Sequence, residues 1–250
     1  MTKSAGMGDA FYYGGNDVSG DINSFSNIGG GPAAGDGTDI TMSAVARLAL
    51  ERDGRMSFAS FFDPVTAHPV LSALPTADVV MSYFRGKAIG NPSAAMVGKQ
   101  PNYDGNRGGD GSLLFTCDAI ANGFGLEWGV QLTPGIRTDT SATIASSANS
   151  FDTGGALAFG AQIYVHLFAF AGTSVTIEVR DSTDNITFGA IGGGGGFPTT
   201  AWTSAPQAMR IATPNTTTVN RYIAVRTTGT FTNAQFAVTV HKNEIAGVVF

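Results

Sequence analysis

The chain has 250 residues, of which 43% are hydrophobic and 13% are charged, and its net charge is −5. This apolar content supports a folded core and excludes wholesale disorder. One cysteine excludes an intrachain disulfide, and three histidines far apart in sequence lack the spacing of a zinc site, so no metal or cofactor is expected.

The sequence pattern of residues 1–137 predicts a β domain with one or two short helices. Apolar runs bounded by turn residues predict strands at 10–13, 22–28, 56–62, 79–85, 94–100 and 113–121. Ser43 is a favourable helix N-cap, and Val45, Leu48 and Ala49 follow it on one helical face, which predicts a first helix. A second helix is predicted at 69–74, ahead of a proline.

Two glycine-rich segments interrupt this domain, at 29–37 and at 101–111. Polar loops of this length usually serve a function. The first segment lacks the Gly-Lys-Ser/Thr sequence with which a phosphate-binding loop reaches its ligand. We therefore expect the two loops to make contacts in an assembly and not to bind a nucleotide.

Residues 138–155 are rich in Ser, Thr, Ala and Gly without apolar periodicity, which predicts a linker. Residues 156–250 then predict a small β-sandwich. Its strands are expected at 163–170, 175–179, 186–191, 221–227 and 236–240, with a turn at the five glycines 192–196. In one of these strands Val175, Ile177 and Val179 alternate with polar residues, as in a half-buried strand.

The distribution of charge narrows the possible partners. Residues 1–150 hold nine basic and fourteen acidic residues, whereas residues 151–250 hold five of each, so the acidic excess lies in the first part. An acidic surface repels a phosphate backbone, which disfavours tight binding of nucleic acid. The longest apolar run, at 158–171, is too short to span a bilayer, so no membrane partner is expected.

Catalytic chemistry is not evident in the chain. Enzymes concentrate titratable side chains whose environments tune them, and no such cluster stands out here. Cys117 lies in an apolar strand pattern and is expected to be a small buried side chain. His166 lies in a predicted central strand and is expected to be a hydrogen-bonded core residue. We therefore expect a protein that is not an enzyme.

A series of short motifs in the first part resembles a known family. In order, they are GGNDVSGD at 14–21, DIT at 39–41, RDGRMSF at 52–58, FFDP at 61–64, YFRG at 83–86, QPNYD at 100–104 and NGFGLEW at 122–128. This order is similar to that of the major tail tube proteins of long-tailed, non-contractile bacteriophages. The resemblance covers roughly residues 10–136.

The resemblance implies a tail-tube-like β-sandwich or half-barrel with a short helix at its side. It also implies that six copies form a ring whose strands join into one inner barrel. Stacked rings would form a tube in the virion tail, assembled in the host cytoplasm, through which genomic DNA passes without specific binding. Tape-measure, tail terminator and distal tail proteins would be partners. Residues 156–250 would decorate the outside of the tube.

Glycine content and loop length then indicate which residues join one ring to the next. The expected inter-ring contacts are Gly29, Gly30, Gly31, Asp36, Asp39, Tyr103, Asp104, Arg107 and Asp110. A bore that DNA passes without sticking suits an acidic lining. The expected lumen acids are Asp9, Asp17, Asp21, Asp104, Asp110 and Asp118.

Two alternatives stay open at the level of sequence. A capsid-decorating or distal tail protein would share the sandwich but stop at a small closed oligomer. A carbohydrate-binding module would use aromatic side chains to stack on sugars. The aromatic residues considered for such a face are Trp128, Trp202, Tyr164, Phe188 and Phe197.

Overall fold

The structure is a computed structural model that describes residues 6–193 and 197–245. The five-glycine run predicted as a turn therefore lies partly outside the described residues, at 194–196. The fold is mainly β, which confirms the predicted fold class. The strands are β1 (Ala10–Tyr13), β2 (Asn16–Asp17), β3 (Ile22–Asp36), β4 (Arg47–Phe61), β5 (Val79–Phe84), β6 (Pro92–Lys99), β7 (Asp104–Arg107), β8 (Leu113–Ala121), β9 (Glu127–Gln131), β10 (Arg137–Asp139), β11 (Ser150–Asp152), β12 (Ala161–Ser182), β13 (Gly189–Ala190), β14 (Phe197–Pro198), β15 (Gln207–Ala212) and β16 (Tyr222–Lys242).

The chain forms two compact units that are interleaved in sequence. The first comprises the described parts of Met1–Gly20, Val79–Ala95 and Trp128–Phe250, and the second comprises Asp21–Asp78 and Met96–Glu127. These boundaries differ from the division at 137 and 156 expected from the sequence. The tube-forming and decorating roles given to the two predicted domains stay predictions.

The first unit is organised by two long antiparallel strands. β12 and β16 pair along nearly their whole length, from Ala161 opposite Lys242 to Ser182 opposite Tyr222. The register shifts around Gly172, whose added Cβ would lie 2.4 Å from Phe231 Cα, so the strands approach closely and bend there. Two strands predicted separately, at 163–170 and 175–179, are therefore one. The core on this pair is apolar and buried, and includes Leu132, Ile163, Val165, Ile177, Val225, Phe236 and Val238.

The segment predicted as a linker carries short strands of the first unit. Arg137 of β10 pairs with Phe236, and Ser150 of β11 pairs with Ala224, so both β10 and β11 lie along β16. Thr143, between them, bridges to Thr227. Strands of three residues are too short to show a two-residue period, which explains why composition alone indicated a loop.

Two further expectations for the first unit have clear outcomes. His166 is buried, as predicted, with its ring nitrogens near Gly15 N at 3.3 Å and Ser82 Oγ at 2.9 Å. The strand predicted at 186–191 is reduced to β13. The reason is that Asp184 accepts hydrogen bonds from the backbone N–H groups of Ile186 and Thr187, both at 2.9 Å, and closes a turn.

The second unit is built on an antiparallel sheet in which β4 lies between β3 and β8, and both β7 and the end of β6 pair with β8. The side chains of Met56 and Phe58 in β4 and of Cys117 and Ala119 in β8 are buried in it, and Cys117 is buried as expected. The helix α1 spans Ala67–Leu71, two residues ahead of the predicted start. No helix in the described part of the chain is long and apolar enough to cross a membrane.

The first predicted helix, around Ser43, is wrong. Residues from Arg47 onward belong to β4 and pair with β3, Leu48 lying opposite Gly35 and Ala49 opposite Ala34. The spacing of Val45, Leu48 and Ala49 fits a helix, but Leu48 and Leu50 also fit the two-residue period of a strand. Pairing with β3, a partner distant in sequence, decides between the two periods.

Candidate assembly surface

A two-stranded arm extends from the sheet of the second unit. β4 pairs with β8 only over 55–61, and towards the N-terminus from Gly54 it pairs with β3 alone. Residues 31–53 therefore form a β-hairpin beyond the last contact with β8, and we call this stretch the hairpin arm. Gly54 is buried, whereas all seven β4 residues that precede it are exposed. The glycine-rich segment predicted as a loop at 29–37 is thus mostly strand.

Large apolar side chains are exposed along the hairpin arm. Leu48 and Leu50 are 56% and 52% exposed, and Ile40, Met42 and Val45 in the connecting turn are exposed as well. Leu48 and Leu50 share one face of β4 because they are two residues apart. An added Cβ on Gly37 would lie 2.8 Å from Leu48 Cγ, and one on Gly35 would lie 3.1 Å from Leu50 Cγ. The two leucines therefore lie across glycines of the partner strand and form a thin apolar face.

Two of the predicted contact residues order the tip of the hairpin arm. Asp36 accepts hydrogen bonds from Thr38 N at 2.9 Å and Thr38 Oγ1 at 2.6 Å. Asp39 accepts the same pair of bonds from Thr41, at 2.8 and 2.5 Å. These hydrogen bonds favour the ionised carboxylates and lower the pKa of both aspartates. These hydrogen bonds are made within the turn itself. The apolar side chains of the turn, Ile40, Met42 and Val45, are exposed to solvent.

The second group of predicted contact residues, Tyr103, Asp104, Arg107 and Asp110, lies in or beside β7. Asp104 and Arg107 are the two ends of β7, whose four residues are all exposed and pair with β8. Tyr103 stacks on Phe115 at 4.1 Å and lies 3.2 Å from His68 Nδ1 through its hydroxyl. Asp110 accepts hydrogen bonds from Ser112 in the turn that follows.

The nine predicted contact residues are therefore not on two loops that meet. Gly29, Gly30, Gly31 and Asp36 belong to edge strand β3, and Asp104 and Arg107 belong to edge strand β7. Within the described residues, β3 pairs only with β4 and β7 only with β8. The structure thus places six of the nine residues on β3 and β7, and the other three, Asp39, Tyr103 and Asp110, lie just outside these strands.

The predicted lumen acids are divided between the two units. Asp9 and Asp17 are in the first unit, and Asp21, Asp104, Asp110 and Asp118 are in the second. Asp9 binds Arg85 Nη1 at 2.5 Å and Gly86 N at 2.9 Å, and it also accepts a hydrogen bond from the Tyr83 hydroxyl. Asp118 accepts a hydrogen bond from Ser57 Oγ at 2.5 Å. Asp9 is therefore bound locally by a cation and two further donors.

Cys117 and His166, the two residues weighed for chemistry in the sequence, are both buried. Among 6–193 and 197–245, no group of three His, Cys, Asp or Glu side chains is arranged to hold a metal ion. Burial raises the pKa of the Cys117 thiol to about 12, so it is protonated at neutral pH. Burial lowers the pKa of His166 to about 3, so its ring is neutral.

The exposed apolar residues of the hairpin arm were not among the residues that the sequence predicted as contacts between subunits. The two-residue spacing of Leu48 and Leu50 was compatible with a strand, but the sequence alone does not show that this face of the strand is exposed. The five aromatics considered for a sugar-binding face do not form one, because Trp202, Tyr164 and Phe197 are buried in the first unit.

Comparison with known proteins gives distant structural similarity only. No protein-family model and no curated protein matches the chain. The Dit protein of phage SPP1, described as a paradigm of hub adsorption apparatus in phages infecting Gram-positive bacteria, matches with 12% identity and a TM-score of 0.34, over 94% of this chain and 99% of that chain. The baseplate of phage P2 in its activated conformation with Ca matches with 10% identity and a TM-score of 0.31, over 96% and 100%. TM-scores this low carry no information on function.

Proposed function

We propose that this protein is a structural subunit of a phage tail and assembles with copies of itself through the edges of the sheet in its second unit. The observation that carries the proposal is the arrangement of that sheet. Among the described residues, β3 and β7 each pair with one strand only, and the hairpin arm presents five exposed apolar side chains. A monomer that works alone normally blunts such edges, because they pair with neighbours.

Two different edges favour a ring or a filament. If β3 of one copy pairs with β7 of the next, the contact is heterologous, and repeated heterologous contacts close into rings or continue as filaments. Closing the sheet into a barrel also removes every open edge. Pro32 interrupts the outer edge of β3, since proline donates no backbone hydrogen bond, so pairing would use the strand on either side of it.

The hairpin arm would supply apolar area to the assembly. Fully burying a leucine stabilises a contact by roughly 1.5–3 kcal/mol. Leu48 and Leu50 are about half exposed, so burying the rest contributes on the order of 1 kcal/mol each. A contact of this size, repeated in every copy, is enough to bias assembly without making each pair of subunits permanent.

More specifically, we propose that the assembly is a tail tube. This part of the proposal rests on the order of the motifs in residues 10–136. In that form six copies make a ring, the rings stack in the virion tail, and the passing genome is not bound. Asp36 and Asp39 at the tip of the hairpin arm, and Asp110 next to β7, would face neighbouring rings. Tape-measure, tail terminator and distal tail proteins would bind the tube ends and its bore. The protein would catalyse no reaction.

The test is electron microscopy of the purified chain across a concentration series, with light scattering of the same samples. The wild type should form hollow tubes or stacked rings. The double variant Leu48→Asp, Leu50→Asp should stay dispersed at the same concentrations, because it places two charges on the apolar face. The control Ile186→Asp places a charge on an exposed apolar residue of the first unit and should assemble as the wild type does.

The outcomes separate the proposal from its alternatives. A small closed oligomer that never lengthens would favour a distal tail or capsid-decorating protein. Assembly that is equally strong in the double leucine variant would show that the hairpin arm is not the contact surface. A wild-type protein that is monomeric at every concentration, including with preformed tail tips added as initiators, would refute the proposal.

A further inference from the structure

A second candidate surface lies in the first unit, in a groove of about 400 Å³ between β9, β11 and β16. Its floor is apolar, formed by Val130 of β9 and Val240 of β16, which lie directly opposite each other. Phe151 of β11 and Leu157 stand at its side. This volume is within the range of small-ligand sites, which combine apolar walls with a few polar groups.

Trp128 gives the groove an exposed aromatic wall. It precedes Val130 by two residues in β9 and therefore lies on the same face of the strand. Its side chain is 48% exposed, whereas the other tryptophan, Trp202, is 7% exposed. The backbone carbonyl of Trp128 accepts a hydrogen bond from His241 Nδ1 at 2.5 Å, which ties β9 to β16 at this point. A half-exposed indole on a fixed strand offers a flat apolar surface to a ligand.

Close contacts and hydrogen bonds hold one side of the groove in place. The aromatic ring of Phe151 lies so close to Gly90 that an added Cβ there would be 2.3 Å from Phe151 Cε2. Lys242 donates hydrogen bonds to Thr153 Oγ1 at 2.9 Å, Gly155 O at 2.7 Å and Asn220 O at 3.1 Å. These contacts fix β11 and the following loop against β16. A preformed site of this kind loses little freedom on binding.

Two of the side chains that line the groove carry a negative charge that a ligand would meet. Asp152 and Glu244 line it as carboxylates. The ammonium of Lys242 has three donors, and all three are used by the acceptors just named. Asp152 accepts two hydrogen bonds of 2.7 Å from Arg221 and one of 2.8 Å from Gly154 N, which leaves one of its roughly four acceptor positions for a ligand. Among the described lining residues, the groove therefore offers carboxylate acceptors for hydroxyl groups, and its one lysine is already bonded to protein acceptors.

We propose that this groove binds a neutral pyranose unit of a glycan, with the sugar ring stacked on Trp128 and its hydroxyl groups donating to Asp152 and Glu244. A pyranose has one apolar C–H face and a rim of hydroxyl donors, which matches an indole beside carboxylates. The proposal stands on the first unit alone and does not depend on tail assembly.

The experiment is a titration of the full chain with four neutral probes, namely cellotetraose, maltotetraose, chitotetraose and galactotetraose, and with tetragalacturonate as an anionic probe. Binding is followed by calorimetry and by the ligand-induced change in tryptophan fluorescence, which reports on Trp128 because Trp202 is buried and does not line the groove. At least one neutral probe should bind saturably and shift the fluorescence. Trp128→Ala should weaken that binding about tenfold or more, and Trp128→Phe should weaken it less.

A matched control is Ile186→Ala, which removes an exposed apolar side chain outside the groove and should bind as the wild type does. Glu244→Gln, on an exposed side chain, should weaken binding several-fold without affecting folding. The proposal is overturned if no neutral probe binds, if Trp128→Ala and Trp128→Phe both bind as tightly as the wild type, or if tetragalacturonate binds more tightly than every neutral probe.

Discussion

Replacing Asp139 with asparagine should destabilise the first unit strongly. Asp139 is buried and accepts hydrogen bonds from Arg137 Nε at 2.8 Å and Nη2 at 2.9 Å, from Thr143 Oγ1 at 2.9 Å and from Thr227 Oγ1 at 2.7 Å. Arg137 also donates to the Val225 carbonyl at 3.1 Å and lies over the Phe236 ring. The network joins the segment after β10 to β16. Asparagine keeps the shape of the side chain but removes its charge.

The size of the effect follows from burial. In the ion pair the side chains of Arg137 and Asp139 are only 14% and 5% exposed. Removing one partner of a buried pair leaves an uncompensated charge and costs about 3–5 kcal/mol. For a chain of this length each kcal/mol lowers the melting temperature by roughly 2–4 °C. The variant should therefore melt on the order of 10 °C lower than the wild type.

The assay is thermal and urea unfolding of the full chain, with Asp152→Asn as a matched control. Asp152 makes a similar two-bond pair with Arg221, but those side chains are 42% and 47% exposed, so solvent screens the pair and its loss should change the melting temperature little. If both variants unfold at the wild-type temperature, residues 138–155 behave as the soft linker that their composition predicts, and the buried network contributes nothing to stability.

Three further predictions concern single residues of the two units. The pKa of His166 is lowered from 6.5 to about 3 by burial, so the unfolded chain binds a proton that the folded chain does not; stability should fall as the pH drops below 6.5, by about 2 kcal/mol between pH 7 and pH 5. His166→Gln should lack this part of the pH dependence of the urea midpoint, and an identical slope in the variant would contradict the assignment. Gly129→Ala should destabilise by about 1–3 kcal/mol in thermal melts, because its Cβ would lie 2.1 Å from the Val240 carbonyl oxygen, whereas Gly155→Ala, with open space around it, should not. Cys117 should react with a thiol reagent at pH 8 only after unfolding in urea, because it is buried and its pKa is raised to about 12; rapid labelling of the folded chain would refute its burial.

The sequence predicted strands well where a short apolar run is bounded by turn residues. β1 and β8 have the predicted bounds, because a compact apolar run is closed by turn residues at both ends. Long strands were predicted in pieces, since β12 bends at Gly172 and its alternation is interrupted there. The local pattern therefore identified the type of element but not its length.

The glycine-rich part of β3 was predicted as a loop for a different reason. Gly30 and Gly54 face each other across β3 and β4, and an added Cβ at Gly54 would lie 2.5 Å from Leu126 N. Glycine is used here for the close approach of backbones, whereas glycine in a single sequence usually indicates a turn. Which use applies depends on the neighbouring strand, and that neighbour is distant in sequence.

The same strand, β4, explains why an assembly surface should be sought in the second unit. From Met56 to Ser60 it lies between β3 and β8, and its side chains are mostly buried. From Asp53 back to Arg47 it has β3 alone, and every residue is exposed. A two-stranded hairpin is marginally stable in water, because its apolar face finds no third layer. The hairpin arm thus exposes the kind of residues that β4 buries elsewhere, and a third strand or face supplied by another copy would complete it as β8 completes the rest of β4.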